Sequence, residues 1–480
     1  MKSKVKKSSL LVFSALTVLL AACSGNNGNN PATESANPTN GNTPAAEAPA
    51  VYDNGLPKDE KVTLKVGFLE AGYGREWFDH ATALFTERYP NVTFDITASP
   101  KIPDLITTKA AAGDDEDMFD ILYGLAYTEF VDANKLEPLT DIFQMKPSDG
   151  GGKTLDELIV PGYNVPEQYY KGENWLFPIA NYIGGMFYDQ KLFEDNGWNK
   201  SPKTYDEFLA LCEAIMSKGI DPIVYSGLYN YSIFSFDTKV FELAIDNGNK
   251  EFRNHYENYS GPEFTSAESV EVYNRLYDMG KKGYISKQSV GMNHTQSQML
   301  ALQGKAAMVP SGDWIENEMK ESAPEDFEWG YMAVPFSNNP ETPIHINNGL
   351  SYAFQIWANK PDLTKQWAKQ FLVSLLTNEV QQILVDKGGA FPLRSDFMDD
   401  SARAANMKPL QKSIATYMSE NNVVLELKSR KVVLNSPDFV AANKHVQDNT
   451  ALILTGQKEP LPILEEGERL LQKAVQEVGK

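Results

Sequence analysis

Cysteine is nearly missing from this 480-residue chain, which has only Cys23 and Cys212. Cys212 shares helical spacing with Phe208, Leu211 and Ile215, so it reads as one residue of an apolar helix face. Histidine is almost as scarce. His80, His255, His294, His345 and His445 are scattered without metal-ligand spacing, so they read as surface or satisfied structural residues and no metal site is expected. Positive charge is in deficit: 44 Lys and Arg stand against 64 Asp and Glu, a formal net charge of −20. That balance argues against nucleic acid as a partner and against direct adhesion to anionic lipid. Gly-x-Ser-x-Gly, a phosphate-binding loop and His-Glu-x-x-His are all missing, and no cofactor is expected. No tandem repeat occurs, and the apolar run at the start falls short of the ~20 residues that span a bilayer.

That run does carry information. Lys2, Lys4, Lys6 and Lys7 precede the apolar stretch from Leu10 to Ala22, the pattern of a secretory signal. It ends in Leu20-Ala21-Ala22-Cys23, which resembles the bacterial lipobox. The resemblance implies that Cys23 is diacylated and becomes the mature N-terminus, leaving Cys212 without a disulfide partner. From Ser24 to about Lys58 the chain is rich in Asn, Pro, Ala, Gly and Thr, with almost no large apolar residue before Val51. Such a composition buries too little surface to offset the entropy of ordering, so a disordered tether is expected, reaching roughly 30–35 Å root-mean-square. The residues beyond it suffice for two lobes with real cores.

The centre of the chain is Trp175 to Ile223. A short apolar run broken by Pro178 is followed, across Asn181-Tyr182, by a second run from Ile183 to Tyr188. Gly184 and Gly185 within it mark a place where the backbone bends or approaches something closely. Lys191 to Asn196 reads as a short helix stopped by Gly197. Thr204 with Glu207 makes a capping box for the helix that carries Cys212. Strand, bend, strand, cap and helix suit a chain crossing from one α/β lobe into another.

This stretch resembles the family 1 extracellular solute-binding proteins, the sugar-capturing components of ABC importers. Carrying the resemblance are Leu176-Phe177-Pro178-Ile179, Phe187-Tyr188-Asp189, Lys191-Leu192-Phe193, Gly197 and the run Pro202 to Phe208. It extends over the body from about residue 60. Phe85 to Val92 resembles the family's helix-to-strand junction. Ser311-Gly312-Asp313-Trp314 resembles the turn that presents a tryptophan to the sugar. Gly388 to Arg394 resembles a late segment returning to the first lobe. The resemblance implies an α/β, two-lobe periplasmic-binding-protein-like fold with a hinged interlobe cleft, and a monomer with no enzymatic activity. It also implies a carbohydrate ligand, expected to be an oligosaccharide, and ABC permease transmembrane subunits as partners. Membrane contact is expected through the lipid anchor only, on the extracellular face.

The residues support this along the chain. Val62, Leu64, Val66 and Phe68 alternate as a first strand. The loop Glu70 to Gly74 follows at the strand's C-terminal end, where open α/β sheets place ligands. Trp77, Phe78, Ala81 and Phe85 repeat at helical spacing before a second strand at Val92, Phe94 and Ile96. Phe119 to Gly124 reads as a buried parallel strand; the resemblance turns its following loop toward the cleft and makes Tyr127 a candidate contact. The stretch 225–261 is aromatic and reads as irregular. Expected divisions are a signal peptide at 1–22, the lipidated cysteine and tether at 23–58, a first lobe from 59–179 with 350–395, and a second from 180–349 with 396–480. Hinges are expected near Ile179–Tyr182, Asn347–Leu350 and Pro392–Arg394.

A sugar offers C–H faces that pack on aromatic rings and hydroxyls that need donors and acceptors. Tyr73, Tyr127, Tyr182 and Trp314 are the candidate platforms. Glu70, Asp313, Asn347, Asn348 and Arg394 are the candidate polar partners. Plainer roles stand beside these: Tyr182 and Trp314 as core fillers, Glu70 and Asp313 as helix or loop charges, Arg394 as a structural clamp. The alternative activity is a tethered carbohydrate-active enzyme using two carboxylates ~5–9.5 Å apart, a weak signal in so acidic a chain. A peptide- or metal-binding lipoprotein lacks clustered ligands.

Overall fold

Two strands of 13 residues each, Phe177–Asp189 and Ile344–Ile356, tie the protein together. The computed structural model describes residues 50–124, 127–163, 169–229 and 236–478. The strands in chain order are β1 Val62–Leu69, β2 Val92–Ser99, β3 Ile121–Tyr123, β4 Phe177–Asp189, β5 Asp221–Ile223, β6 Ala306–Gly312, β7 Trp329–Met332, β8 Ile344–Ile356, β9 Phe391–Pro392 and β10 Val423–Leu427.

β1 pairs in parallel with β2 in step from Val62↔Val92 to Leu69↔Ser99, with the helix Glu76–Arg88 between them. β3 joins β1 from the other side, also in parallel. Alternation of β1 puts Leu64, Val66 and Phe68 fully inside, as their period-two spacing predicts. β4 then serves two partners along its length. Its first half pairs antiparallel with β8, from Phe177↔Phe354 to Ile183↔Asn348, and its second half pairs with β6 and β7. β8 is used in the same way, its start against β10 and its remainder against β4 and β3.

Hydrophobic burial separates along those two strands. One core gathers Phe68, Trp77, Phe78, Ala180, Tyr352, Phe354, Trp367 and Phe371. Another gathers Ile183, Phe187, Phe208, Met308, Tyr331, Ile346 and Ile414. On β4 the change falls between Ala180 and Ile183, and on β8 between Ile346 and Tyr352. The fold is therefore mixed α/β with two lobes, called lobe 1 and lobe 2 in that order.

The expected interruption at Pro178 is not there: β4 runs straight through it. At Pro178 the strand is paired on one side only, with β8, so the missing N–H need not remove a ladder bond. Gly185 has its close neighbour. A Cβ there would lie 2.2 Å from the ring of Tyr331, whose hydroxyl donates to the Gly184 carbonyl at 3.0 Å.

Thr204 caps the helix Tyr205–Met216 by accepting from the Glu207 N–H. Glu207 accepts from the N–H of Lys203, so the reciprocal half of the capping box is shifted by one residue. Phe208, Leu211, Cys212 and Ile215 are the buried face, and burial pushes the Cys212 thiol well up.

Two expectations need correction. Residues 50–58, placed in the tether, belong to the folded body: Val51 bridges to Pro57, and the Tyr52 ring meets Tyr89 at 4.9 Å and Trp367 at 5.8 Å. One large aromatic, with its hydroxyl on Asn91 at 2.9 Å, is enough to hold that turn. The aromatic stretch 225–261 is not irregular throughout, since it forms helices at Lys239–Asp246 and Phe252–Asn258. Tyr231 and Phe234 from that stretch, the signal and Cys23 lie outside the described residues. Among those described, no helix is long and apolar enough to cross a membrane.

Candidate functional site

Where β1 of lobe 1 and β6 of lobe 2 end, their following turns meet. The loop after β1 brings Gly72 and Tyr73; the turn after β6 brings Asp313 and Trp314. Gly72 is required by the approach, because a Cβ there would stand 2.8 Å from three side-chain atoms of Trp314. Asn317, just beyond in lobe 2, donates to the Gly72 carbonyl at 2.8 Å and pins the loop.

A cavity of about 330 Å³ opens beside this junction, within the range of small-ligand pockets. Tyr73, Tyr182, Trp314, Tyr123, Tyr352 and His294 supply its rings. The Trp314 indole meets Tyr73 and Tyr182 edge-on, with ring centroids 6.2 and 6.0 Å away. Its Nε1 points at Nε2 of His294, 3.4 Å away, and that nitrogen lies 2.7 Å from the Glu318 carboxylate.

Asp313 lies behind the rings and is 2% exposed. It accepts from the Tyr73 hydroxyl at 3.1 Å and from the Ile183 N–H at 3.2 Å, so one carboxyl ties the lobe 1 loop to strand β4. Burial raises its pKa to about 7 against these stabilising bonds. Burial also raises Tyr182, to about 12, and Tyr123, Tyr163 and Tyr352 in the same direction. The hydroxyls around the cavity are thus neutral donors and acceptors near pH 7. Tyr352 sits at φ 51, a conformation costing of order 1–3 kcal/mol for a bulky residue. Its hydroxyl accepts from the Ala71 N–H at 3.2 Å. Such stored strain concentrates where a side chain must face a particular way.

The other expected residues divide. Asn347 is buried, accepting from the Tyr182 hydroxyl at 3.2 Å and donating to Asp237 at 3.1 Å. Asn348 accepts from the Tyr163 hydroxyl at 3.3 Å. Both therefore orient tyrosines. Tyr127 lines a smaller cavity of about 100 Å³ with Tyr163, Tyr170 and Trp175. Leu350 borders both cavities. Glu70 is exposed at the head of its loop and is not on the cavity wall. Arg394 is not in the cleft: its fully buried guanidinium pairs with Asp149 at 3.0 Å and Asp396 at 2.7 Å and donates to the Leu376 carbonyl. A buried guanidinium needs two such anions and a carbonyl, so it clamps lobe 1.

Tyr123, His294, Glu318, Leu350 and Tyr352 were not expected. Tyr123 ends the strand whose following loop was expected at the cleft, so its position was available as a signal. Glu318 lies one helical turn after Trp314, a spacing the sequence also offered, whereas His294 comes from a separate helix and Leu350 and Tyr352 from β8, and no local pattern joins those three. Among the described residues, no three His, Cys, Asp or Glu side chains gather as metal ligands.

The sequence profile of the family described as "Bacterial extracellular solute-binding protein" matches residues 70–382, a span holding every wall residue just named. The chain is similar to the diacetylchitobiose binding protein NgcE of Streptomyces coelicolor, at 25% identity over 287 residues. That match covers 58% of this chain and 59% of the relative's length. It is also similar to the multiple sugar-binding protein of Streptococcus mutans, at 23% identity over 64% of this chain and 69% of the other. Among solved structures, a chitin oligosaccharide binding protein superposes with a TM-score of 0.67, at 20% identity, over 87% of this chain and 99% of that one. Maltose-bound MalE3 of T. maritima gives 0.65, at 18% identity, over 86% and 99%.

Proposed function

The chain belongs to the bacterial extracellular solute-binding protein family, and from that premise we propose that it captures a neutral oligosaccharide between its lobes and presents it to the transmembrane subunits of an ABC importer. The observation carrying this reading is Trp314, flanked by Tyr73 and Tyr182 at a junction of the two lobes. Rings in that arrangement offer flat faces and edges to a sugar's C–H surface. The neutral phenols and His294 supply hydroxyl partners around it, with Asp313 behind them holding Tyr73. Relatives whose names specify diacetylchitobiose and multiple sugars support the ligand class.

Carriage by a lipid on Cys23 would hold the body outside the cytoplasmic membrane, on the segment 24–49. The protein would act as a monomer, binding and releasing its ligand unchanged. Closure would turn on β4, β8 and the segment Pro392–Arg394, where the two cores change over.

Trp314→Ala tests the reading. Truncating a buried interface aromatic commonly costs ~2 kcal/mol or more, about thirtyfold in affinity. Calorimetric titration with chito-, xylo- and malto-oligosaccharides should show at least about tenfold weaker binding for whichever series the wild type takes. The ligand should be recovered intact, and the ligand-free melting midpoint should move only a few degrees. A core filler would instead cost ~3–5 kcal/mol of stability, so a large drop in midpoint with affinity preserved would overturn the proposal.

A further inference from the structure

Lobe 2 holds a larger cavity, about 460 Å³, that no step of the interlobe reading uses. It lies between the helices Lys239–Asp246, Ala267–Lys282 and Pro437–Leu454 and the segment after β10. Toward the cleft it is closed by Asn347, which is buried and bonded to both Tyr182 and Asp237. Pro262 and Ala267 border it and are exposed, so it has its own opening to solvent. A ligand there need not pass through the interlobe cavity.

Charge around this cavity does not balance. Lys428 bonds Asp237, and Arg430, stacked on the Tyr256 ring, bonds Glu263. Glu268 also lines the cavity and is only 2% exposed, yet it has no cationic partner among the described residues. Its Oε1 accepts from the side chains of Asn247 at 3.2 Å and Asn249 at 3.1 Å. Its Oε2 has no hydrogen-bond partner among the described residues and keeps accessible surface. Behind the wall, Glu468 adds a second carboxylate, held by the backbone N–H groups of Glu263, Phe264 and Thr265 rather than by a cation. Glu268 stands in the first turn of its helix, where the helix dipole favours a carboxylate. The dipole makes the charge tolerable but gives Oε2 no donor, and buried carboxylates are normally paired or fully hydrogen-bonded.

The missing partner is a cation, and the geometry selects its kind. Two amide donors already occupy Oε1, so one oxygen is left, which suits the point charge of an ammonium rather than the two-pronged fork of a guanidinium. Tyr256, Phe264 and Tyr273 line the same space. Aromatic rings attract a cation through their faces and pack against its carbon skeleton. The volume is that of a small-molecule pocket. We propose that the lobe 2 cavity binds a small organic ammonium ion, its nitrogen on Glu268 Oε2 and its carbon skeleton among the three rings. This site is separate from the interlobe cavity. The inference makes no use of the carbohydrate reading, and either can fail without the other.

Phenethylammonium and hexylammonium are the probes, with phenethyl alcohol and phenethylguanidinium as the neutral and forked counterparts. Each would be titrated calorimetrically to ~10 mM, enough to detect a weak site, against wild type, Glu268→Gln, Ala267→Trp and Trp314→Ala. Glu268→Gln keeps the shape and removes the charge. Ala267 is the exposed first residue of its helix, so Ala267→Trp crowds the opening even if the glutamine variant folds poorly; ligand-free melts check both. Wild type should bind at least one ammonium, and the alcohol and guanidinium about tenfold or more weaker. Glu268→Gln should lose about tenfold or more, the usual scale for removing one partner of a buried charge pair. Ala267→Trp should bind more weakly, and Trp314→Ala should bind the ammonium as wild type does. No ammonium binding by wild type, equal binding of the alcohol, or affinity surviving in both cavity variants overturns the proposal. Loss of ammonium binding in Trp314→Ala would place the ion in the interlobe cavity and overturn it too.

Discussion

Replacing Asp313 with asparagine removes an ionisable group from a junction of the two lobes while leaving an oxygen to accept from Tyr73 and Ile183. In the wild type, burial raises this carboxyl from 3.8 to about 7, a gap corresponding to ~4 kcal/mol between its protonation states. The folded protein therefore keeps the proton over a range where the unfolded chain has already released it. Between about pH 4 and pH 7 the native state binds more protons at this position, so its contribution to stability declines as pH rises and levels off above 7. Asparagine has no such titration. All other groups contribute to both curves, and the difference between variant and wild type isolates this one carboxyl. The difference in melting midpoint should shift in favour of Asp313→Asn between pH 4.5 and pH 8. At ~2 °C or more per kcal/mol for large domains, the shift should be roughly 5 °C or more. Melts by differential scanning calorimetry in matched ionic strength provide the measurement. A difference that stays constant across the range would mean that Asp313 is ionised throughout, and the account of a desolvated carboxyl behind the aromatic rings would fail.

Arg394→Met should lower stability by ~3–5 kcal/mol, because it leaves Asp149 and Asp396 without their buried partner. Chemical denaturation should show this, while titration of the folded fraction gives unchanged affinity; lost affinity with intact stability would return the arginine to the cleft. Cys23→Ala should release the protein from membranes into the medium without changing ligand affinity, as membrane fractionation and titration would show. Retention on membranes would sink the anchor. Saturating oligosaccharide should reduce the radius of gyration in X-ray scattering, since β4 and β8 link the two cores; an unchanged curve with bound ligand would argue for a rigid site.

Local pattern alone made much of the architecture legible. Alternation at Val62, Leu64, Val66 and Phe68 specified β1, and helical spacing specified the face carrying Phe208, Leu211, Cys212 and Ile215, because burial on one side of a regular element has a fixed period. Gly185 announced a close approach without naming Tyr331 as the neighbour. The turn carrying Asp313 and Trp314 was legible through its resemblance to a family, and so were Tyr73 and Tyr182 as candidates. Tertiary structure decided the rest. Only folding brings His294 and Tyr352 beside Trp314, since their sequence separation hides any shared pattern, whereas Glu318 follows one helical turn later. Only the surroundings decide whether a charge is a contact or a clamp: Arg394 is enclosed by Asp149 and Asp396, while Glu70 stays in solvent. The fate of residues 50–58 turned on one ring, Tyr52, finding Tyr89 and Trp367. Periodicity reports which side of an element is buried; which residues meet there is fixed by long-range packing, and a ligand site is made of such meetings.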